Sequence, residues 1–180
     1  MRRTDHEAAP SNQLDLFQKK QGKVKGIRSG DNPFLHALEL HEQRAESAEA
    51  EYRRAIEMGI SKADAFCNLG TLLAERGEVP QAIAHFSRAL AEQPTHLYGH
   101  YNLANIYLDA GNLALARLHY QVALEIGPPF PELYFNLGLL FLIQGDKQRA
   151  LDMLREYQQA SPAALEEVSR LLLEHGLGAL

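Results

Sequence analysis

The sequence lacks the features that mark secreted, membrane-spanning and disulfide-stabilised proteins. Its single cysteine, Cys67, cannot form a disulfide within the chain, which is typical of a protein in a reducing cytosol. The longest strongly apolar run, Leu137–Ile143, is far shorter than the roughly 20 residues of a membrane-spanning helix. No apolar stretch follows Arg2 and Arg3, so we expect no secretory signal and a cytoplasmic location.

Charge is unevenly distributed along the 180 residues. The chain has a net charge of −5, but residues 1–30 contain seven basic and three acidic residues, a net charge of +4. The remainder of the chain therefore carries −9. The basic segment also contains Pro10 and three glycines and shows almost no apolar periodicity. We predict that residues 1–31 form a disordered basic tail.

Most of the remaining chain consists of repeats of equal length. The segments 63–96, 97–130 and 131–164 align without a gap, and apolar residues recur in each at three- and four-residue steps. The positions that coincide include Leu69, Leu103 and Leu137; Gly77, Gly111 and Gly145; Ala82, Ala116 and Ala150; and Pro94, Pro128 and Pro162. The glycine can end one helix in the left-handed conformation, and the proline ends the next. Each segment therefore predicts two helices, the first near 63–76, 97–110 and 131–144 and the second near 80–92, 114–126 and 148–160.

This pattern, with its period of about 34 residues, resembles the tetratricopeptide-repeat (TPR) family. The resemblance is strongest in AFCNLGTLLAERGEVPQAIAHFSRALAEQP and HYNLANIYLDAGNLALARLHYQVALEIGP. It implies an all-α TPR solenoid, a right-handed superhelix of helix–turn–helix repeats whose first helices line a concave groove.

The two ends of this repeated region depart from the pattern. Residues 33–62 have matching positions in their second half, but no glycine marks their turn and His36 stands where a small residue is expected. We interpret them as a degenerate first repeat. Beyond the third full repeat, an apolar face predicts a C-terminal capping helix over 162–176. The expected TPR domain thus spans 32–180.

Three asparagines occupy one position in successive first helices, namely Asn68, Asn102 and Asn136. A side-chain amide can both donate and accept hydrogen bonds, and related TPR proteins use such ladders to hold an extended peptide backbone. Acidic residues at neighbouring positions favour an apolar peptide with basic residues. We expect a peptide-binding groove formed by Asn68, Tyr98, Tyr101, Asn102, Asn105, Phe135, Asn136 and Leu139.

No residues indicate catalysis, a metal site or a cofactor. The sequence has no glycine-rich phosphate loop and no signature of a nucleophile with its base. His96 and His100 have a spacing found in helical metal sites, but no third ligand is near in sequence, so we interpret both as surface histidines. The basic residues with which some TPR adaptors bind a chaperone's terminal carboxylate are absent from the matching positions. We therefore predict a protein-binding function without enzymatic activity.

The basic tail contains a short motif, Gln-Leu-Asp-Leu-Phe at Gln13–Phe17, that resembles the bacterial sliding-clamp-binding peptide at every position. Large apolar residues with no core to join usually mark an interaction site. Alternatively, they pack as a short helix against the first repeat. The resemblance implies that the glutamine hydrogen-bonds at one clamp pocket, the apolar side chains fill an adjoining one and the acidic position is variable. The residues concerned are Gln13, Leu14, Asp15, Leu16 and Phe17.

The sequence thus favours an adaptor that binds a peptide or protein in its groove and is tethered to a sliding clamp by its tail. Two alternatives remain open for the basic stretch Lys19–Arg28. It could contact DNA phosphates, which at this charge gives only weak, salt-sensitive binding. It could instead occupy the groove as an autoinhibitor.

Overall fold

A computed structural model describes residues 31–44, 46–174 and 176 of the chain. The chain divides into two compact units between Ile60 and Ser61. All regular secondary structure in the described residues is helical, as the sequence predicts. None of the described helices is long and apolar enough to cross a bilayer. The motif Gln13–Phe17 and the basic stretch Lys19–Arg28 lie outside the described residues.

The first unit contains a helix pair, α1 (Pro33–Glu42) and α2 (Ala48–Glu57). Asn32 caps α1, because its side-chain oxygen accepts hydrogen bonds from two backbone N–H groups at the start of the helix, at 3.0 and 3.3 Å. Fully buried side chains on the facing surfaces hold the pair together. They are Phe34, Ala37, Ala48, Tyr52 and Ala55.

The turn of this first pair corrects one expectation from the sequence. The small buried residue of α1 is Ala37, whereas His36 is exposed. Ala37 lies one position closer to Gly70 than the period of the later repeats requires. Arg44 likewise lies one position closer to Gly77 than this period requires. Its backbone adopts the left-handed conformation, with a φ of 53°. Arg44 therefore takes the place of the turn glycine. The residues of α1 are shifted by one position from the alignment of the repeats, whereas those of α2 follow it.

The second unit contains three helix pairs and a terminal helix. Every boundary in the pairs lies within one residue of its predicted position. The helices are α3 (Lys62–Glu75), α4 (Val79–Glu92), α5 (Leu97–Asp109), α6 (Leu113–Ile126), α7 (Pro131–Ile143), α8 (Lys147–Ala160) and, after a 3-10 turn at Pro162–Ala164, α9 (Leu165–Glu174).

Glycine has two different roles within these pairs. Gly77 ends α3 with a φ of 78°, and the following N–H of Glu78 donates to the Leu73 carbonyl at 2.8 Å. Gly70 instead allows α3 and α4 to approach, because a Cβ there would lie 2.7 Å from Cε1 of Phe86. The first of these roles agrees with the glycine stops that the gapless alignment predicts.

Successive pairs stack in chain order within the second unit. Helix α4 packs on α5 and α6 packs on α7, while the first helices α3, α5 and α7 also contact one another in sequence. The terminal helix α9 buries Val168 and Leu172 in the same cluster as Leu140 and Leu154. The capping face is thus confirmed, although its first turn is 3-10 and the α-helix begins at Leu165.

Candidate functional site

The predicted groove residues lie on the first helices of the second unit, at positions separated by three or four residues, and so share one face of each helix. This surface is called the ladder face below. It comprises Asp64, Asn68 and Thr71 on α3, Tyr98, Tyr101, Asn102 and Asn105 on α5, and Glu132, Phe135, Asn136 and Leu139 on α7. Most of these side chains are half-buried, whereas Asn68 is only 5% exposed and Tyr101 9% exposed.

The asparagine ladder is tied into the protein by its amide nitrogens. Nδ2 of Asn68 donates to the Asp64 carbonyl of its own helix at 3.0 Å. Nδ2 of Asn102 crosses from α5 to α3 and donates to Oγ1 of Thr71 at 3.1 Å. Both nitrogens therefore already donate within the protein, which the spacing of the asparagines did not indicate.

Asn136 repeats this link one pair further along the chain. Its Nδ2 donates to the hydroxyl of Tyr101 and to Oδ1 of Asn105, both at 3.0 Å, and so joins α7 to α5. The same Asn105 oxygen accepts a hydrogen bond from the hydroxyl of the fully buried Tyr120 at 2.5 Å. The ladder residues on α5 and α7 thus act as bridges between successive repeats.

Aromatic rings form the apolar part of the ladder face. Phe130 lies with its ring centroid 5.4 Å from that of Tyr98 and 4.9 Å from that of Tyr101. Phe135 pairs with Tyr157 of α8 at 5.1 Å. Phe130 and Tyr157 were missed by the sequence analysis because they lie outside the first helices. The sequence signal for Phe130 was a large apolar residue between two prolines.

The electrostatics of this surface are acidic. Burial raises the pKa of Tyr98 to about 12, with a further contribution from the nearby Glu132 carboxylate. Burial also raises the pKa of Tyr101 to about 12. Helices α5 and α7 contain no lysine or arginine. The face therefore consists of phenols, apolar side chains, amides and carboxylates, and α5 and α7 add no lysine or arginine to it.

Cys67 lies next to the ladder in a setting that disfavours its reactive thiolate form. Its side chain is 2% exposed, and burial, followed by the charge of Asp64, raises the pKa of the thiol. A thiol held in its protonated form reacts poorly. Among the residues that the structure describes, no three His, Cys, Asp or Glu side chains converge on a possible metal position.

The two histidines singled out by their spacing have different environments. His96 is 4% exposed, so its interpretation as a surface residue is wrong. Its Nδ1 accepts the Gly99 N–H at 2.9 Å and caps α5, while its Nε2 lies 3.1 Å from Oδ1 of Asp64. His100 points elsewhere, with its Nδ1 2.9 Å from Nδ1 of His119. His96 therefore has a structural role, because it fixes the start of α5 against α3.

The repeats of this chain match a known family. The tetratricopeptide-repeat model matches residues 67–131 and 129–164, which together make up more than half of the chain. The chain belongs to the TPR family. No curated protein matches its sequence.

Solved structures, including two of TPR proteins, share this fold at low sequence identity. YrrB, described as a TPR protein with an unusual peptide-binding site, is 23% identical with a TM-score of 0.61; the match covers 64% of this chain and 59% of YrrB. TTC0263, a thermophilic TPR protein of Thermus thermophilus, is 20% identical with a TM-score of 0.66, covering 81% and 82%. MamA is 16% identical with a TM-score of 0.63, covering 78% and 85%. These likenesses establish the TPR architecture of the chain.

Proposed function

We propose that this TPR protein is an adaptor that binds an extended segment of another protein on its ladder face and docks on a bacterial sliding clamp through Gln13–Phe17. In this role the chain brings a bound partner to DNA that is being replicated or repaired. No chemical step is involved, and the function consists of holding two proteins together.

The observation that carries the first half of this proposal is the composition of the ladder face. Half-buried aromatic rings at Tyr98 and Phe135 can take up apolar side chains of a peptide, and the amides of Asn102 and Asn136 can bond its backbone. The ladder face continues over three first helices, which suits an extended ligand. That YrrB is described as having a peptide-binding site is consistent with this use of the fold.

The ladder face can be tested by affinity capture with the full chain and two variants. Phe135→Ser removes an aromatic ring from the face, and Leu118→Ser removes an apolar side chain from α6 that is 53% exposed. We expect proteins retained by the native chain to be lost with Phe135→Ser and kept with Leu118→Ser. Identical sets of captured proteins for all three chains would show that binding does not involve this face.

The second half of the proposal is supported by the tail sequence. The pentapeptide matches the clamp motif at all five positions, and the basic stretch Lys19–Arg28 follows it, where it would face DNA passing through a clamp. A short peptide buries little area and loses conformational freedom on binding, so we expect a dissociation constant around micromolar. Leu16 and Phe17 should contribute most of the binding free energy as pocket-filling side chains.

The test of clamp binding uses a synthetic peptide of residues 9–22, titrated against the sliding clamp of the source organism by calorimetry. A second peptide carries Leu16→Ala and Phe17→Ala and serves as the matched control. Saturable binding that the double substitution abolishes supports the tether. If neither peptide saturates at a few hundred micromolar, or if both bind equally, the match to the clamp motif is a coincidence.

A further inference from the structure

The orientation of the ladder amides determines what kind of ligand they can hold. In Asn102 and Asn136 the nitrogen is bonded to the preceding repeat, and no described residue donates to the Oδ1 atom. We infer, on the basis of the peptide-binding function proposed above, that the ladder face presents hydrogen-bond acceptors and selects a partner segment rich in lysine or arginine.

Hydrogen-bond chemistry fixes which amide atom is the nitrogen in the first two ladder residues. Asn68 faces the Asp64 carbonyl, which can only accept, so the atom that bonds it must be Nδ2. Asn102 faces the hydroxyl of Thr71, whose own proton is already donated to the Cys67 carbonyl at 3.2 Å. The Thr71 oxygen is therefore left to accept, and the atom of Asn102 that bonds it must again be the nitrogen.

The third ladder residue is oriented by a buried tyrosine. Tyr120 is fully buried and its hydroxyl bonds Asn105, so the hydroxyl proton needs an acceptor there. Asn105 must then turn Oδ1 toward Tyr120, and this is the oxygen that Nδ2 of Asn136 also contacts. With the Tyr101 hydroxyl as its second acceptor, both N–H groups of Asn136 are used within the protein.

The charges around the ladder agree with an acceptor surface. Asp64 and Glu132 flank it on α3 and α7, and Asp109 is exposed at the end of α5. On α3 the amine of Lys62 is 2.6 Å from Oε1 of Glu92 and is thereby paired. A lysine or arginine side chain brings only donors, and its cation is also attracted to an aromatic ring such as that of Tyr98. A free carboxylate would instead meet amide oxygens and carboxylates.

The inference can be tested with the full chain, its own five basic residues at 19–28 replaced by glutamine so that the tail cannot compete, and a fluorescent peptide with the native sequence of residues 19–28, which contains five basic and no acidic residues. Fluorescence anisotropy at low and at physiological salt measures its affinity. We expect saturable binding that weakens about tenfold when all four lysines are acetylated, because the ligand then loses most of its charge. Glu132→Gln should weaken binding about 2- to 5-fold. Glu125→Gln, on the exposed surface of α6, should leave it unchanged.

Two substitutions of similar size at Asn102 separate acceptor from donor roles. Asn102→Asp keeps an oxygen on the face and adds a negative charge, so it should bind the basic peptide at least as tightly as the native chain, whereas Asn102→Leu should bind it about 2- to 5-fold more weakly. Circular dichroism of both variants controls for loss of folding. Equal losses with Asp and Leu would show that the amide acts as a donor, and the inference would be wrong.

A third peptide, with glutamate in place of every lysine and arginine, separates this inference from the adaptor function. It should not bind. If the acidic peptide binds and Phe135→Ser removes that binding, the ladder face is a peptide site but the acceptor assignment is overturned. If none of the peptides saturates, the selection of basic segments is refuted, and the capture experiment with Phe135→Ser decides the adaptor function by itself.

Discussion

The helix pair of the first unit and the pairs of the second unit have matching second helices but different turns. Ala48 and Tyr52 occupy the positions of Ala82 and Phe86, and all four are buried. The turn glycine of the later pairs is instead Arg44, with a φ of 53°. The left-handed conformation costs an L-residue about 1–2 kcal/mol. The comparison shows that burial of the second helix is enough to maintain a helix pair whose turn is locally unfavourable.

The largest expected effect concerns the aromatic position shared by the two regions. Phe86→Ala should destabilise the second unit by about 3–5 kcal/mol, because it removes a buried ring that fills the space beside Gly70. Urea denaturation followed by circular dichroism measures this loss. Gly70→Ala should be destabilising alone, because its Cβ would lie 2.7 Å from the Phe86 ring, but tolerated in the Phe86→Ala background, where the added Cβ meets no ring. Additive losses would mean that Gly70 and Phe86 are not in contact.

A smaller loss should follow overpacking at the buried alanine. Ala82→Leu in α4 and Ala48→Leu in α2 should each cost about 1–3 kcal/mol, because both side chains are fully buried at a helix contact. Ala84→Leu, at a more accessible position of α4, is the matched control and should change stability little. Thermal unfolding compares the three. If Ala48→Leu behaves like the control, the shared register of the second helices does not hold.

The turn itself can be tested by exchanging residue types. Arg44→Gly should stabilise the first unit by up to about 1 kcal/mol, because relief of the left-handed backbone exceeds the entropic cost of glycine. Gly77→Ala should destabilise the second unit by about 1 kcal/mol, since a Cβ there meets nothing within 4 Å and only the backbone is strained. Hydrogen exchange of the amides in α2 and α4 resolves the two effects. The two substitutions must change stability in opposite directions. Changes in the same direction would contradict the role assigned to Arg44.

Effects similar in size to those at the turns are expected at the ladder bridges. Asn102→Ala removes a hydrogen bond to Oγ1 of Thr71 and a longer one, at 3.7 Å, to Sγ of Cys67, and should cost about 0.5–1.5 kcal/mol. Asn136→Ala removes two hydrogen bonds to oxygen and should cost more, because sulfur is the weaker acceptor. Equilibrium unfolding of both variants measures which of them loses more stability. No loss in either would mean that these asparagines face only the solvent.

The regular repeats could be derived from the sequence in detail, and the irregular one only in part. The gapless alignment of the three full repeats places every boundary from α3 to α8 within one residue, because glycine stops and apolar spacing act locally. The first turn could not be predicted in the same way. No residue pattern marks an arginine that will adopt the left-handed conformation. The one-residue shift of α1, with Ala37 as its small buried residue, therefore became apparent only from the burial of Ala37.

The sequence by itself determined the helix pairs, the ladder positions and the acidic character of the face, since each depends on the residue type at a fixed spacing. Only the tertiary structure decided which atoms of Asn102 and Asn136 are bonded within the protein and that His96 is buried. Both depend on partners that are distant in sequence, Thr71, Asn105, Tyr101 and Asp64, which the stacking of successive repeats brings within hydrogen-bond distance. An amide side chain carries a donor and an acceptor alike, so its neighbours in space select the one it presents.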